Sequence, residues 1–548
     1  MIALLEFFAA RPSLFYLVGL VPLFASVALA AVGGSLSRAT HRFECTFLAV
    51  ASATVVIWRW PMLLWPNPLN IDEGYFTAGA LKATVDFAPW RGFDTATSGP
   101  LNAYILALPA LFGARISLFS SRVIALSLVL GTLAAFYYAA KWSFGARTAR
   151  LALLPPLLFF AITTDPEFVH ASTEHLSIFL STVALAAVAY LTHAEANTRR
   201  IAACVVGGLC LGSAVFAKLQ VAPIIPAIFA GAAVALFLAR KAPGAKPIRE
   251  TGALLLSASL VPALIAISLA VTGAWNDAVI SYLGSSLAFI DQGRPVGWSF
   301  FFDNSPWYTA FLVGSLLVIV AGAMALIAYR RLPARSVALA SGSALLLLAA
   351  FVAIYQPHRP WRHYLLFSIV PISYCVAAAI RLTRDAGWWS GRELRLTLLS
   401  IALFLVPTLM IAGAIPHPFL RAHPVDVARA QIKAIARYAS PGSRVAVWGW
   451  MPHYYVETET IPATREAETI RQIEPGPYRE FFRSRFLSDL KASMPIVFVD
   501  AVAPGTWYFN NRATQGLETF PELHAFITAH YALKEESAGV RIFVRNAP

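Results

Sequence analysis

Apolar residues in this chain gather into long unbroken stretches and do not alternate with polar ones. Twelve stretches approach the length that crosses a bilayer, about twenty residues. They run over 14–34, 43–62, 119–140, 151–163, 174–192, 201–217, 221–239, 251–271, 307–329, 336–354, 364–381 and 396–415. The pattern predicts a polytopic α-helical membrane protein of about twelve spans.

The polar connections alternate in charge. Every second one is basic: Arg38, His41 and Arg42; Lys141, Arg147 and Arg150; Arg199 and Arg200; Arg240, Lys241, Lys246 and Arg249; Arg330, Arg331 and Arg335; Arg381, Arg384, Arg392 and Arg395. Short basic loops stay in the cytoplasm, so the other loops and both chain ends are expected outside. Residues 14–30 end in Ala28-Leu29-Ala30, the form of a signal peptide with a small-residue cleavage site. Cleavage there would put all six basic loops on the wrong side, so the stretch is read as a span.

The outer loop at 66–118 is too long for a simple connection and carries its own periodicity. Leu101, Tyr104, Ile105, Leu108, Leu111 and Phe112 recur at helical spacing between Gly99-Pro100 and Gly113. So short a helix cannot span and is predicted to lie along the interface, making this loop a platform at the outer surface. Beyond Pro416-His417-Pro418 the chain becomes an ordinary polar mixture. Residues 416–548 predict a small extracytoplasmic α/β domain. Its helices are expected at 424–439, 479–492 and 518–529, with strands at 444–449 and 496–500 and two more at the end. No Gly-rich phosphate fingerprint follows either of the first two strands.

Composition sharpens this picture. Of 548 residues 58% are hydrophobic and 13% charged, about half the charge of a soluble globular chain. The net charge of +14 would suggest nucleic acid in a soluble domain, but here the basic residues sit in short loops and mark orientation. Cys204, Cys210 and Cys375 lie inside apolar stretches and Cys45 begins another, so no disulfide framework is implied.

In a chain so poor in charge, Asn70-Ile71-Asp72-Glu73-Gly74-Tyr75 places two carboxylates just beyond an apolar stretch rimmed by Trp58, Trp60 and Trp65. Carboxylates beside a bilayer are costly and usually functional, and one at a cleft can serve as general base toward a hydroxyl. The competing reading is that Asp72 caps a helix starting at Glu73. Asp165, Glu167 and Glu174, with His170 and His175, form a second acidic set that fits either oxygen ligands for a cation or helix capping. No HExxH spacing occurs. Late in the chain Arg359, Arg362, His363 and Tyr364 emerge together at an outer span end, and Lys218 sits at another. They suit a phosphate, or else serve as interfacial anchors. Trp448, Trp450, His453, Tyr454 and Tyr455 cluster beside a strand, where aromatic residues more often fill a core than stack on a sugar.

Three blocks resemble the GT-C membrane glycosyltransferases. They are Asp72-Glu73-Gly74-Tyr75; Thr97-Ser98-Gly99-Pro100-Leu101 before a helix ending in Leu111-Phe112-Gly113; and Arg359-Pro360-Trp361-Arg362-His363-Tyr364-Leu365-Leu366. Within that superfamily the chain is most similar to the protein mannosyltransferase and aminoarabinose lipid A transferase branch, in layout over roughly 43–415. The resemblance implies transfer of a sugar from a polyprenyl-phosphate-linked donor to an acceptor hydroxyl on an envelope lipid, glycan or protein, at the outer face of the cytoplasmic membrane. It makes Asp72 the general base with Glu73 assisting. It gives the donor phosphate to Lys218, Arg359, Arg362, His363 and Tyr364, and a second acidic site to Asp165, Glu167 and Glu174. Members of that branch differ in their need for a metal: either no cofactor is used, or a divalent cation is held by Asp72 and Glu174. The chain departs from that branch in an extra apolar segment before the catalytic loop. A transporter or lipid flippase is the alternative, since about twelve spans suits that class too; a non-catalytic envelope scaffold is a third. Against a transporter, the charged residues gather on one membrane face and no two halves correspond.

Overall fold

The computed structural model describes residues 2–32, 41–193, 197–238, 240, 244–302, 305–329, 332–388, 393–415, 417–420 and 427–547. Arg38, Lys241, Arg330, Arg331, Arg392 and Pro416 lie outside the described residues, as does the side chain of Arg395.

A short helix α1 (Ile2–Ala9) leads into α2 (Pro12–Val32) and α3 (His41–Leu63). The platform follows as α4 (Ile71–Val85) and α5 (Pro100–Leu111), then α6 (Leu118–Phe144), α7 (Ala146–Ile162), a single turn α8 (Pro166–Val169), α9 (Glu174–Leu191) and α10 (Asn197–Ala217). Next come α11 (Ile224–Leu238), α12 (Pro247–Thr272), the short α13 (Trp275–Ala278) and α14 (Ser285–Asp291), α15 (Pro306–Ala328) and α16 (Ala334–Tyr355). A tight turn over Arg362–Leu365 opens α17 (Leu366–Asp385), and α18 (Glu393–Ala414) closes the membrane part.

A helix forms at each of the twelve apolar stretches. Among the described residues nine are long and apolar enough to cross a membrane, which makes this a multi-pass membrane protein: α2, α3, α6, α9, α10, α12, α15, α16 and the unit Arg362–Asp385. The count of about twelve is therefore reduced by length. Helix α7 has 17 residues, α11 has 15, and the apolar part of α18 is Ile401–Ala414. Helix α7 reads as apolar because it is a core element: every residue from Thr148 to Ile162 is buried. Helix α2 is integral to the bundle, with Phe15, Leu23, Val27 and Ala30 in the main core. The Trp58 indole of α3 donates to the Gly19 carbonyl at 3.0 Å.

The platform helix α5 has the predicted bounds, and Leu108, Leu111 and Phe112 remain exposed along it. An apolar margin of this kind suits a helix lying in the interface. Chain reversal after it falls at Gly113, in the left-handed region at φ 68°.

The C-terminal unit contains α19 (Val427–Ala436), β1 (Arg444–Trp448), α20 (His453–Thr458), β2 (Ile461–Pro462), α21 (Ile470–Ile473), α22 (Arg479–Ser493), β3 (Val497–Asp500), α23 (Arg512–Gln515), α24 (Pro521–His530), β4 (Tyr531–Ser537) and β5 (Val540–Arg545). Its sheet has the order β2-β1-β3-β5-β4, with β1 parallel to β2 and β3 and the closing hairpin antiparallel. Trp448, Tyr454 and Tyr455 are buried, the core role expected of that aromatic cluster. This unit is packed onto the platform. Tyr75, Phe76, Ala78 and Ala80 of α4 share one core with Ile435, Val447 and Tyr454.

Candidate active site

The helix carrying the acidic pair starts two residues earlier than Asp72 would allow as a cap. Asn70 is the cap: its side chain accepts from the Asp72 amide at 2.9 Å, and Ile71 is the first helical residue. Asp72 and Glu73 therefore stand in the first turn, where the helix end favours negative charge. Adjacent helical positions point about 100° apart, and the two carboxylates have different surroundings.

Glu73 is fully buried and held by four donors. Arg122 of α6 binds it through Nε at 2.9 Å and Nη2 at 2.7 Å, and the amides of Leu69 and Ala171 donate at 3.0 and 3.1 Å. Arg122 spends its remaining donors on the carbonyls of Met62, Trp65 and Asn67. Burial alone would raise the Glu73 carboxyl, but the charge and hydrogen bonds of Arg122 prevail and hold it below the ordinary range. The bidentate fork ties α3, α4, α6 and the 163–173 loop into one rigid corner.

Asp72 is half-buried, and among the described residues no group donates a hydrogen bond to its carboxylate. Burial raises its pKa above the aspartate range; His363, His170 and Lys218 pull it down, and Glu174 pushes it further up. Those four groups come from three separate stretches of the chain, around 170–174, 218 and 363, so the site is assembled by the fold.

Each partner is itself anchored. Glu174, buried at the start of α9, pairs with Lys218 Nζ at 3.0 Å, and the same ammonium donates to Thr173 Oγ1 at 3.1 Å. Lys218 also lies 5.6 Å from the centre of the Tyr364 ring. Glu167 accepts from Asn70 Nδ2 at 2.7 Å and lies 2.8 Å from His363 Nδ1. Burial raises Glu167, and the His363 hydrogen bond and charge overcome this, leaving it at about 2. Asp165 caps α8 through the Glu167 amide and binds Arg362 at 2.7 Å. Asp165 thus takes the capping role, one of the two readings its sequence allows, and Asp72 lies in electrostatic range of His363 and Tyr364.

Arg359 places its guanidinium 4.4 Å from the Phe289 ring, lines a cavity of about 510 Å³ with Arg294 and His358, and remains in electrostatic range of Tyr364. Asp165, Glu167 and Glu174 pair with Arg362, His363 and Lys218 respectively, and His363 lies in electrostatic range of both Glu167 and Glu174. Among the described residues no three His, Cys, Asp or Glu side chains are placed to hold a metal ion, and Glu174 is turned onto Lys218.

Arg122, Asn70 and Thr173 are site residues that the sequence reading did not rank. Arg122 had a visible signal: it is an arginine inside an apolar stretch, which demands a buried partner.

No family model matches the chain, and no curated protein matches its sequence. Among solved structures, the chain is similar to ArnT from Cupriavidus metallidurans bound to undecaprenyl phosphate. The TM-score is 0.56 at 12% identity, covering 93% of this chain and 99% of that one. The same protein in the apo state gives 0.48 at 14% identity over 91% and 98%. The Archaeoglobus fulgidus oligosaccharyltransferase tethered to an acceptor peptide gives 0.48 at 13% identity, over 84% of this chain and 69% of that chain. The first of these shows that the chain has the ArnT fold, the GT-C fold expected from its sequence blocks.

Proposed function

We propose that this GT-C-fold protein is a glycosyltransferase that takes a sugar from a polyprenyl-phosphate-linked donor and places it on an acceptor hydroxyl. The observation that carries this reading is the Asp72 carboxylate, without a donor of its own among the described residues, in electrostatic range of His363, His170 and Lys218. The fold is shared with a protein whose structure holds undecaprenyl phosphate.

The chemistry follows from the placement. An acceptor hydroxyl attacks the anomeric carbon, its proton passes to Asp72, and the bond from that carbon to the phosphate oxygen breaks. Negative charge then grows on the departing lipid phosphate. Lys218, Arg362, His363 and Tyr364 supply the cations and donors that stabilise it. Arg362 is the most accessible of these, and its planar fork matches phosphate oxygens. Arg359, in electrostatic range of Tyr364, adds positive charge from the side of its own cavity. Glu73 never meets substrate in this scheme; it fixes the helix turn from which Asp72 projects. Glu174 and Glu167 hold Lys218 and His363 in place. The basic loops support a position for this face outside the cytoplasm, at the outer surface of the inner membrane.

The test is direct. Purified protein in lipid nanodiscs is given polyprenyl-phospho-sugars, with envelope lipids, glycans and proteins as acceptors, and free polyprenyl phosphate is measured. Release that depends on acceptor supports the reading. Translocation of the intact donor across a vesicle bilayer, with no release, would establish the flippase instead.

A further inference from the structure

A groove of about 950 Å³ opens among α1, α2, α3 and the end of α18, on the flank of the bundle away from Lys218 and Glu174 in the helix order. Leu20, Phe24, Trp58 and Leu409 line it, with Tyr16 and His417 at the end nearest the platform. Along α2 it runs from Pro12 to Phe24, about 18 Å of helix, close to one leaflet of a ~30 Å hydrocarbon core. Its length and apolar walls suit a hydrocarbon chain lying parallel to the membrane normal.

The head of that chain is specified by His417. The imidazole is 5% exposed, and neither ring nitrogen meets a partner in good hydrogen-bond geometry, although the Trp58 backbone lies close enough to engage one of them. A buried polar group left open in this way calls for a ligand or water. Burial holds the ring down at about 4, so it is neutral and offers one donor and one acceptor. No Lys or Arg lines the groove among the described residues, and Arg11, the adjacent cation, is drawn onto the Phe7 ring at 4.6 Å. A neutral imidazole without a cation matches a hydroxyl or an ester carbonyl and is a poor seat for phosphate.

A chain of packed side chains links the His417 end of the groove to the site. The His417 and Phe419 rings lie 6.0 Å apart, and the Phe419 and Trp65 rings 5.1 Å. The Trp65 carbonyl accepts from Arg122, which holds Glu73 beside Asp72.

We propose that this groove seats the acyl chain of a neutral lipid whose hydroxyl or ester head bonds to His417, presenting a lipid-borne acceptor to the Asp72 side. The acceptor half of this statement rests on the glycosyl-transfer reading; occupancy of the groove does not. The full-length protein in phosphatidylcholine nanodiscs is exposed to a diacylglycerol carrying a photoactivatable acyl chain, and labelled peptides are mapped by mass spectrometry. Labelling is expected on α2 and α18 and is displaced by unlabelled diacylglycerol. A Cβ at Gly413, which lines the groove, would meet nothing within 4 Å, so Gly413→Trp fills the space without disturbing packing. That variant should lose about tenfold of the label, the occupancy lost when two methylenes are displaced. His417→Phe should lose severalfold, and Ile267→Trp, on the exposed face of α12, none. Label spread evenly over lipid-facing helices, or unchanged in a Gly413→Trp protein that melts like the parent, overturns the groove. Equal labelling by a photoactivatable phosphatidylglycerol overturns the neutral head. Specific labelling in a protein without transferase activity would leave the groove standing and remove only its link to Asp72.

Discussion

Two neighbouring carboxylates behave differently here because of what reaches them. Glu73 receives four hydrogen bonds and a buried guanidinium; Asp72 receives none among the described residues. Removing one member of a buried ion pair strands the other, which costs about 3–5 kcal/mol. Arg122→Met should therefore lower stability by about that amount in denaturant titrations. A loss within 1 kcal/mol would mean that water reaches the corner. Asp72 makes a different prediction, because a base must be ionised to accept a proton. Burial raises its pKa, so turnover should climb with pH through that raised value and then level off. A rate that falls across the same range would assign the titration to a catalytic acid.

At the scale of elements, two glycines place the site. The amide of Gly99 donates to the Ala217 carbonyl at 3.0 Å, and Ser98 forms a strand-like bridge with Lys218. A Cβ on Gly99 would fall 1.8 Å from the Phe216 carbonyl oxygen. The Thr97-to-Leu101 block thus straps α5 to the end of α10 and sets Lys218 before Glu174. Gly99→Ala should force α5 and α10 apart, lowering both the melting temperature and donor affinity; unchanged donor binding would separate Lys218 from the phosphate. Gly74 has a parallel role, since a Cβ there would sit 2.9 Å from the His453 amide nitrogen of α20. These constraints explain what was legible in the sequence. Spans, platform helix, sheet strands and the Asp72 and His363 blocks were visible because each is a local pattern of apolar spacing or concentrated charge. The short α20 and the hold of Asn70 on Glu167 were not, because each is decided by contacts between segments about 100 or more residues apart in sequence.

Across the whole molecule, the C-terminal unit is locked to the platform by buried charge. Asp94, fully buried, meets Ser281, Arg471 and Arg485, while Arg485 also binds Asp277 at 2.9 Å and Glu466 at 3.1 Å. Burial opposes ionisation of Asp94, yet Arg471 and Arg485 hold it at about 2. Glu468, in the same network, is pushed by burial up to about 8, with Arg471 opposing. The two act in opposite directions. Stability contributed by Asp94 is present above its ordinary value and lost as pH falls through about 2. Glu468 binds its proton more tightly folded than unfolded, so its stabilising contribution is full below about 4.5 and drains away as pH rises through about 8. Melting temperature should therefore fall between pH 6 and 9, as scanning calorimetry can show, and Glu468→Gln should flatten that fall. A slope unaltered by the substitution would place the titrating group elsewhere.

The central claim is that Asp72 takes the acceptor's proton in a site shared with the Lys218, Arg362 and His363 cations. Its most direct test compares the parent with Asp72→Asn for release of polyprenyl phosphate from a polyprenyl-phospho-sugar, with donor binding measured alongside. The account predicts a rate loss of about 10²-fold or more with donor affinity and melting temperature retained. An Asp72→Asn protein that turns over like the parent would contradict it.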